Sequence, residues 1–207
     1  MNQAVIKIFG CHRTCTNLTT VLLRRNFRCR VLTNHPDHKH TICRQDHRSV
    51  FDHDGSHLTD EVLYAICCKN PYTYIESTFE FFSRRADRYK FRGTLNEWIA
   101  GRGKIDALHR FNKLYAHWMA LPDAFLFRQE DLAENSAEVL NQAMNRWKLD
   151  PKGGTLRGIE EQVNPSEKVT TARYRSRENS LTGAQIAAIN ERIDGKTLAL
   201  LGYDVRT

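Results

Sequence analysis

The chain has no apolar run close to the ~18 residues that a membrane span requires. Its first residues, MNQAVIKIFG, contain no basic region followed by a long apolar one, so we expect no signal peptide. Internal repeats and low-complexity tracts are also missing. With 41% hydrophobic and 27% charged residues, the composition excludes the membrane, fibrous and disordered classes. The length predicts one domain, residues 1–207, that can bury a full core.

Cysteine is too sparse for a disulfide scaffold. The six cysteines are Cys11, Cys15, Cys29, Cys43, Cys67 and Cys68. Two of them are adjacent within an apolar run, and we predict that all six are reduced thiols in a cytoplasmic protein.

Basic residues are in excess. The 31 Lys and Arg against 24 Asp and Glu give a net charge of +7 and a pI near 9.2. This balance suggests an anionic partner, which could be a nucleotide, a nucleic acid or an acidic substrate. Charge alone does not choose among the three.

Short apolar segments alternate with segments of helical periodicity. Strands are expected at residues 4–10, 27–33, 61–68 and 124–128. Helices are expected at residues 14–25, from Asn70-Pro71 onward, around 108–118 and around 139–147, with a polar loop over 34–55. A capping box, Thr182-x-x-Gln185, begins the last helix, which Gly195 is expected to end. The alternation predicts an α/β fold: a mostly parallel sheet of about four to five strands with helices on both faces.

The most informative segment joins the first strand to the next helix and reads FGCHRTCTN, residues 9–17. Such a junction presents backbone N–H groups and the positive end of a helix to an anion. Arg13 adds a permanent charge, and Thr14 and Thr16 add hydroxyl donors. An ordinary strand–helix turn is the alternative interpretation.

This segment is not a nucleoside triphosphatase loop. The pattern G-x-x-x-x-G-K-[ST] needs Gly-Lys and a hydroxyl for Mg²⁺, and Cys15-Thr16-Asn17 stands at those positions. A phosphoryl-transfer enzyme would therefore lack its lysine and its metal anchor. A group transfer that needs no metal would tolerate that loss.

The same residues resemble the phosphosulfate loop of sulfotransferases, G-x-x-[RK]-[ST]-G-T-[TN]. Cys15 stands where the family usually has Gly, so we expect its backbone to avoid a positive φ. In the family this loop binds the 5′-phosphosulfate of 3′-phosphoadenosine-5′-phosphosulfate (PAPS) and gives the fold its P-loop-like character. The resemblance thus assigns to the cofactor the residues Gly10, Cys11, His12, Arg13, Thr14, Cys15, Thr16 and Asn17.

A second match follows the third strand. The family has R-[DN]-P-x-x-x-x-x-S at this place, and its basic residue and Ser bind the 3′-phosphate of PAPS. Here Lys69-Asn70-Pro71 is followed by Ser77, eight residues after Lys69. Lysine keeps the charge of the usual arginine but loses its bidentate fork. Without the first loop, Lys69-Asn70-Pro71 would indicate no more than the start of a helix.

Three further segments resemble the family less specifically. FRQEDL at residues 127–132 is similar to [RY]-x-E-D-L, for which we predict a structural role, and LLGY at 200–203 is similar to the closing L-G-Y. The family also has a late basic loop over the 3′-phosphate and adenine, to which Lys168, Arg173 and Arg175 would correspond. The resemblance spans nearly the whole chain.

Residues 34–57 hold six histidines and one cysteine. A solvated polar loop is one interpretation. A zinc site is another, because His38, His40, Cys43 and His47 are close in sequence and their side chains suit zinc.

The resemblance gives a third interpretation of this segment. After the second strand, sulfotransferases place a Lys beside, or two residues before, a catalytic Glu or His. The match here is Lys39 with His40, so His40 would remove the acceptor proton, and Lys39 and Arg13 would stabilise charge on the bridging oxygen. His38, His35 and Asp37 remain rivals for the base.

The resemblance implies a PAPS-dependent sulfotransferase. It would move a sulfuryl group in one in-line step to a hydroxyl or amine, without a metal, and a carbohydrate acceptor is our hypothesis. The expected partner is a small molecule or glycan, not a membrane or nucleic acid. One alternative is another P-loop nucleotide-binding transferase. A second is a nucleic-acid-binding protein that uses the basic clusters at residues 24–30 and 84–92.

Overall fold

A computed structural model describes residues 3–34, 38–41, 50–51, 57–59, 61–89, 91–103, 105–159 and 180–207. Its main sheet consists of β1 (Ala4–Gly10), β2 (Cys29–Leu32), β5 (Leu63–Cys68) and β6 (Ala124–Arg128). All pairings in this sheet are parallel, and the strand order is β2-β1-β5-β6. A separate antiparallel pair is formed by β3 (Val50–Phe51) and β4 (His57–Thr59). The predicted α/β fold class is confirmed.

Helices lie in the β1–β2 and β5–β6 connections and follow the last strand, whereas the described part of the β2–β5 connection contains β3 and β4. The helices are α1 (Thr16–Asn26), α2 (Pro71–Ser83), α3 (Ala86–Tyr89), α4 (Leu95–Ile99), α5 (Ala107–Trp118), α6 (Gln129–Trp147), α7 (Gly183–Asn190) and α8 (Gly195–Leu200). Non-helical backbone at Asn135 kinks α6. Across the described part of the chain, no helix combines the length and the apolar character needed to cross a bilayer.

The two faces of the sheet pack into two separate apolar cores. Along β1, Phe9 enters one core with residues of α2, α4 and α5, whereas Ile6 and Ile8 enter the other core with residues of α1 and α6. Because both faces are covered, the strands are mainly apolar on both sides, as is typical of parallel sheets, and buried Lys7 in β1 is an exception. The helices therefore lie on both faces, as the sequence predicted.

The second strand is shorter than predicted. It covers Cys29–Leu32 rather than residues 27–33, because the chain just before it pairs elsewhere: Phe27 bridges Pro151, and the Arg28 N–H donates to the Asp150 carbonyl at 2.9 Å. The predicted loop over 34–55 also contains β3, whose pairing with β4 is local and needs no place in the main sheet.

The predicted end of the last helix is wrong. The helix that the Thr182 capping box begins stops at Asn190, and Gly195 is the first residue of the next helix. Asp194 causes this restart, because its carboxylate accepts hydrogen bonds from the N–H groups of Lys196 and Thr197. The predicted N-caps hold: Asn70 Oδ1 accepts from the Tyr72 N–H at 3.1 Å, and the capping box of Thr182 is formed in both directions.

Gly10 ends β1 where no side chain fits. A Cβ there would lie 2.6 Å from the Cys67 carbonyl oxygen and 2.7 Å from Thr14 Oγ1. Because the first of these atoms is backbone, we expect Gly10→Ala to lower the free energy of unfolding by about 1–3 kcal/mol in urea titrations. The control is Gly153→Ala, whose added Cβ meets no described atom within 4 Å. Equal unfolding free energies for Gly10→Ala and wild type would mean that the Cys67 backbone leaves room for a side chain.

Candidate functional site

The loop between β1 and α1 turns through two left-handed residues. Arg13 has φ 70° and Cys15 has φ 37°, so the expectation that Cys15 avoids a positive φ is wrong. A left-handed residue other than glycine costs about 1–2 kcal/mol. The buried Cys15 thiol explains how the conformation is held, because its Sγ packs beneath the loop 3.6 Å from the Phe127 carbonyl oxygen and 3.8 Å from that of Cys68.

The first turn of α1 presents a positive end. It contains no acidic residue, and Cys15, its N-cap, makes no side-chain capping bond. The Thr14 hydroxyl donates instead to the Cys11 carbonyl at 2.7 Å. Left-handed residues in a tight loop also bring successive N–H groups together into an anion-binding concavity. The loop and the helix start thus have the chemistry of a phosphate or sulfate site.

A cleft of about 520 Å³ opens at this loop. Its wall includes these predicted site residues: His12, Arg13, Thr14, Cys15, Thr16, Asn17, Lys39, His40, Lys69 and Ser77. It also includes these residues that the sequence did not single out as ligands: Thr73, Glu76, Glu80, Phe81, Arg84 and Gln129. Four segments far apart in sequence therefore share one cavity.

Three predicted cofactor residues have other positions. Gly10 and Cys11 are not in the described cleft wall. Cys11 is 1% exposed, its N–H donates to the Tyr115 hydroxyl, and burial raises the pKa of its thiol to about 12. These two residues shape the loop from beneath, because the chain must pass close to β5 before it turns. Arg173 lies outside the described residues, as do Lys168 and Arg175.

The turn at residues 38–41 is fastened to the loop by three contacts. The Gly10 N–H donates to the Lys39 carbonyl at 2.9 Å. His40 Nδ1 lies 2.5 Å from the Gly10 carbonyl oxygen, and Lys39 Nζ donates to Asn17 Oδ1 at 2.6 Å. Both polar groups of the Gly10 backbone are thus occupied by this turn, which brings Lys39 and His40 to the cleft.

The tautomer of His40 follows from its contact with Gly10. A carbonyl oxygen only accepts, so Nδ1 carries the hydrogen and Nε2 keeps its lone pair. His40 is 8% exposed, and burial lowers its pKa from 6.5 to about 3, with a further contribution from His12, whose ring centroid lies 4.0 Å away. The pKa of His12 is lowered to about 4, also mainly by burial. Both imidazoles are therefore neutral at pH 7, the form that accepts a proton.

The rivals of His40 are placed differently. His38 is exposed, its ring centroid lies 5.1 Å from that of His40, and it is not in the cleft wall; its pKa is lowered, first by desolvation and then by nearby Lys39. His35 and Asp37 lie outside the described residues.

Two members of the predicted zinc set, Cys43 and His47, also lie outside the described residues. Within the described ranges, no group of three or more His, Cys, Asp or Glu side chains could hold a metal ion.

The corner that carries Lys69 is held by Glu130. Glu130 Oε1 accepts from the Asn70 N–H at 2.9 Å, and Oε2 accepts from the Tyr203 hydroxyl at 2.8 Å. Arg128 forms two hydrogen bonds to the carboxylate of Asp131, at 2.7 and 2.9 Å. The FRQEDL segment and the C-terminal Tyr203 thus meet behind the second motif, in contacts of the structural kind that the sequence predicted for FRQEDL.

One face of α2 forms the far wall of the cleft. Of the residues missed there, Thr73, Glu80 and Phe81 lie three or four positions from Ser77, and this helical spacing is the signal that could have found them. Glu76 is adjacent to Ser77, and Arg84 follows the end of the helix. Arg84 pairs with Glu80 at 3.7 Å, and Glu76 accepts two hydrogen bonds from Ser180. The two carboxylates of this wall are therefore partly compensated by groups around them.

Comparisons of the chain with protein-family models, with curated proteins and with solved structures gave no match. The interpretation of the cleft therefore rests on its own geometry and on the motifs in the sequence.

The lowered pKa values predict how stability depends on pH. Below pH 6.5 the unfolded chain binds protons at His40 and His12 that the folded chain excludes, so the free energy of unfolding should fall as the pH falls from 6.5 towards 4. Each imidazole contributes a slope of up to about 1.4 kcal/mol per pH unit. Urea unfolding at pH 7, 6 and 5 should show a smaller slope for His40→Asn than for wild type. A change at exposed His109, His109→Asn, is the control, and an unchanged slope in His40→Asn would refute the assignment.

Proposed function

We propose that the protein is a PAPS-dependent sulfotransferase. The observation that carries the proposal is the shared cleft: the loop at residues 12–17, the Lys39–His40 pair, Lys69 and Ser77 line one cavity. The sequence resemblance assigned these segments independently to two ends of one nucleotide and to one transfer reaction. They converge at the carboxyl edge of a parallel sheet, which is where such folds usually bind their ligands.

The cleft suits a nucleotide with two separate anionic groups. Arg13, Lys39, Lys69 and Arg84 contribute positive charge to its wall. In this proposal the loop amides, Arg13 and the start of α1 hold the 5′-phosphosulfate, and Lys69 and Ser77 hold the 3′-phosphate. A cavity of about 520 Å³ is within the usual size of cofactor sites.

His40 is the proposed base. Its neutral Nε2 would take the proton from an acceptor hydroxyl or amine while the acceptor atom forms a bond to sulfur. The bond from sulfur to the bridging phosphate oxygen breaks in the same step, and Lys39 and Arg13 stabilise the charge that this oxygen gains. The product is 3′-phosphoadenosine-5′-phosphate (PAP). Anions of the bound nucleotide would raise the low pKa of His40 towards neutrality, because opposite charge favours the protonated imidazole.

The acceptor class remains part of the proposal. We propose that the acceptor is a small compound with a hydroxyl or amine group, that a carbohydrate is the first class to test, and that the reaction uses no metal. Five cysteines of the described chain are buried free thiols, which supports a reducing, cytoplasmic setting.

The nucleotide preference tests the cofactor assignment. PAP should raise the melting temperature more than AMP or ATP with Mg²⁺, because only PAP can occupy both anion sites. Ser77→Ala should weaken PAP binding by roughly 10-fold or more and leave AMP binding unchanged, since a charge-assisted hydrogen bond is lost. Ser83→Ala on the same helix is the matched control, because Ser83 Oγ is buried and has no hydrogen-bond partner among the described residues. Equal shifts of the melting temperature from AMP and PAP would reject the 3′-phosphate site.

DNA binding tests the nucleic-acid alternative. Steeply salt-dependent binding to random DNA, without an effect of PAP on the melting temperature, would favour that alternative.

Turnover separates the base from the binding groups. With PAPS and a panel of hydroxyl and amine acceptors, His40→Ala should lower kcat by roughly 10²–10⁴ and keep the PAP affinity, because the imidazole acts on the acceptor. Arg13→Ala should lose turnover and nucleotide binding together, whereas Arg102→Ala, an exposed arginine outside the cleft wall, should behave as wild type. Full activity in His40→Ala would remove it as the base, and loss of activity in His38→Ala or His35→Ala would pass the role to that residue.

A further inference from the structure

Helix α5 reaches the turn at residues 38–41 with two donors. Arg110 Nη2 donates a hydrogen bond to the carbonyl oxygen of His40. Two turns further along the same helix, the Trp118 indole N–H donates to the Thr41 carbonyl at 3.0 Å. Arg110 is not in the described cleft wall. Its contact with the turn is to the backbone, at the carbonyl oxygen of His40.

The helix that supplies these donors is itself firmly held. Asp106 caps its start, accepting from the His109 N–H at 3.0 Å. The Tyr115 hydroxyl donates to the Cys67 carbonyl at 2.7 Å, and the side chains of Tyr115 and Trp118 are fully buried. Because α5 is anchored to β5 and the core, the hydrogen bonds from Arg110 and Trp118 hold the turn in a fixed position relative to the sheet.

The turn needs such support because its own bonding is slight. Within residues 38–41, the Thr41 N–H and hydroxyl donate to the His38 carbonyl. The contacts to the loop hold one side of the turn, through Gly10 and Asn17. A contact from α5 on the other side completes the support, and a guanidinium is suited to it because it offers five donors in a fixed plane.

We propose that Arg110 is a positioning residue that sets the placement of His40 beside the phosphosulfate loop; the inference rests on the proposed function. Arg110 acts through the His40 backbone and does not touch the nucleotide. Its charge also lowers the pKa of His12 and His38, which favours neutral imidazoles at the cleft. A misplaced base loses rate rather than nucleotide affinity, because in the proposal the loop amides, Arg13, Lys69 and Ser77 bind the phosphates. Lys39, on the same turn, has its own contact to the loop through Asn17.

The test compares Arg110→Met with Lys113→Met, which removes an exposed cation one turn further along α5. With PAPS and the acceptor of highest turnover in the panel, Arg110→Met should lower kcat by roughly 10–100-fold, with KM for PAPS and PAP affinity within about threefold of wild type. Arg110→Lys, which keeps a donor, should recover part of the loss. In a His40→Ala background the same Arg110→Met change should cost nothing more, because the residue it positions is gone.

A second readout does not depend on turnover. In ¹⁵N spectra of the imidazoles, assigned with His40→Ala, wild type and Lys113→Met should show His40 protonated at Nδ1. Arg110→Met should shift these signals towards an exchanging pair of tautomers. Unchanged His40 signals and unchanged kcat in Arg110→Met would overturn the inference, and so would an equal loss of kcat and PAP affinity, which would make Arg110 a nucleotide contact. If the signals shift but wild type does not bind PAP, the proposed function fails while the placement of His40 by Arg110 stands.

Discussion

The backbone of Gly10 joins the sheet, the loop and the turn that carries His40. The Gly10 N–H donates to the Lys39 carbonyl, and the Gly10 carbonyl accepts from the His40 ring. The Cys67 backbone approaches so closely that only a hydrogen atom fits at the side-chain position. Once this contact is made, the start of α1 and the imidazole must face the same edge of the sheet. The rest of the cleft is arranged around that edge.

The electrostatic character of the site follows from this close packing. Burial keeps His40 and His12 neutral, and Lys39 is also shifted, its pKa lowered by desolvation. Arg13, Lys39, Lys69 and Arg84 outnumber the two carboxylates of the cleft wall, Glu76 and Glu80, so the neutral imidazoles share a cleft with a net positive wall. The same desolvation that weakens His40 as a free base would strengthen its response to a bound anion.

Two helices serve the cleft in different ways. α2 buries one face in the core and turns the other, with Ser77, towards the cleft. α5 contributes no wall residue and instead holds the turn through Arg110 and Trp118. The turn is thus supported by residues that belong to no sequence motif. Arg110 and Trp118 bind backbone carbonyls, which every residue has, so the residue types of the turn do not reveal these contacts.

The sequence by itself determined the parallel α/β architecture, the strands Ala4–Gly10 and Ala124–Arg128 at their observed bounds, and the loop and Lys69–Ser77 segments at the cleft. These features are local: they follow from apolar periodicity and from short motifs at strand ends. Tertiary structure alone decided the rest. The left-handed φ of Cys15 depends on a pocket for its thiol beneath the loop, made by the distant carbonyls of Cys68 and Phe127. The tautomer of His40 depends in the same way on its contact with the Gly10 carbonyl, and its low pKa depends on burial; only the folded chain provides both.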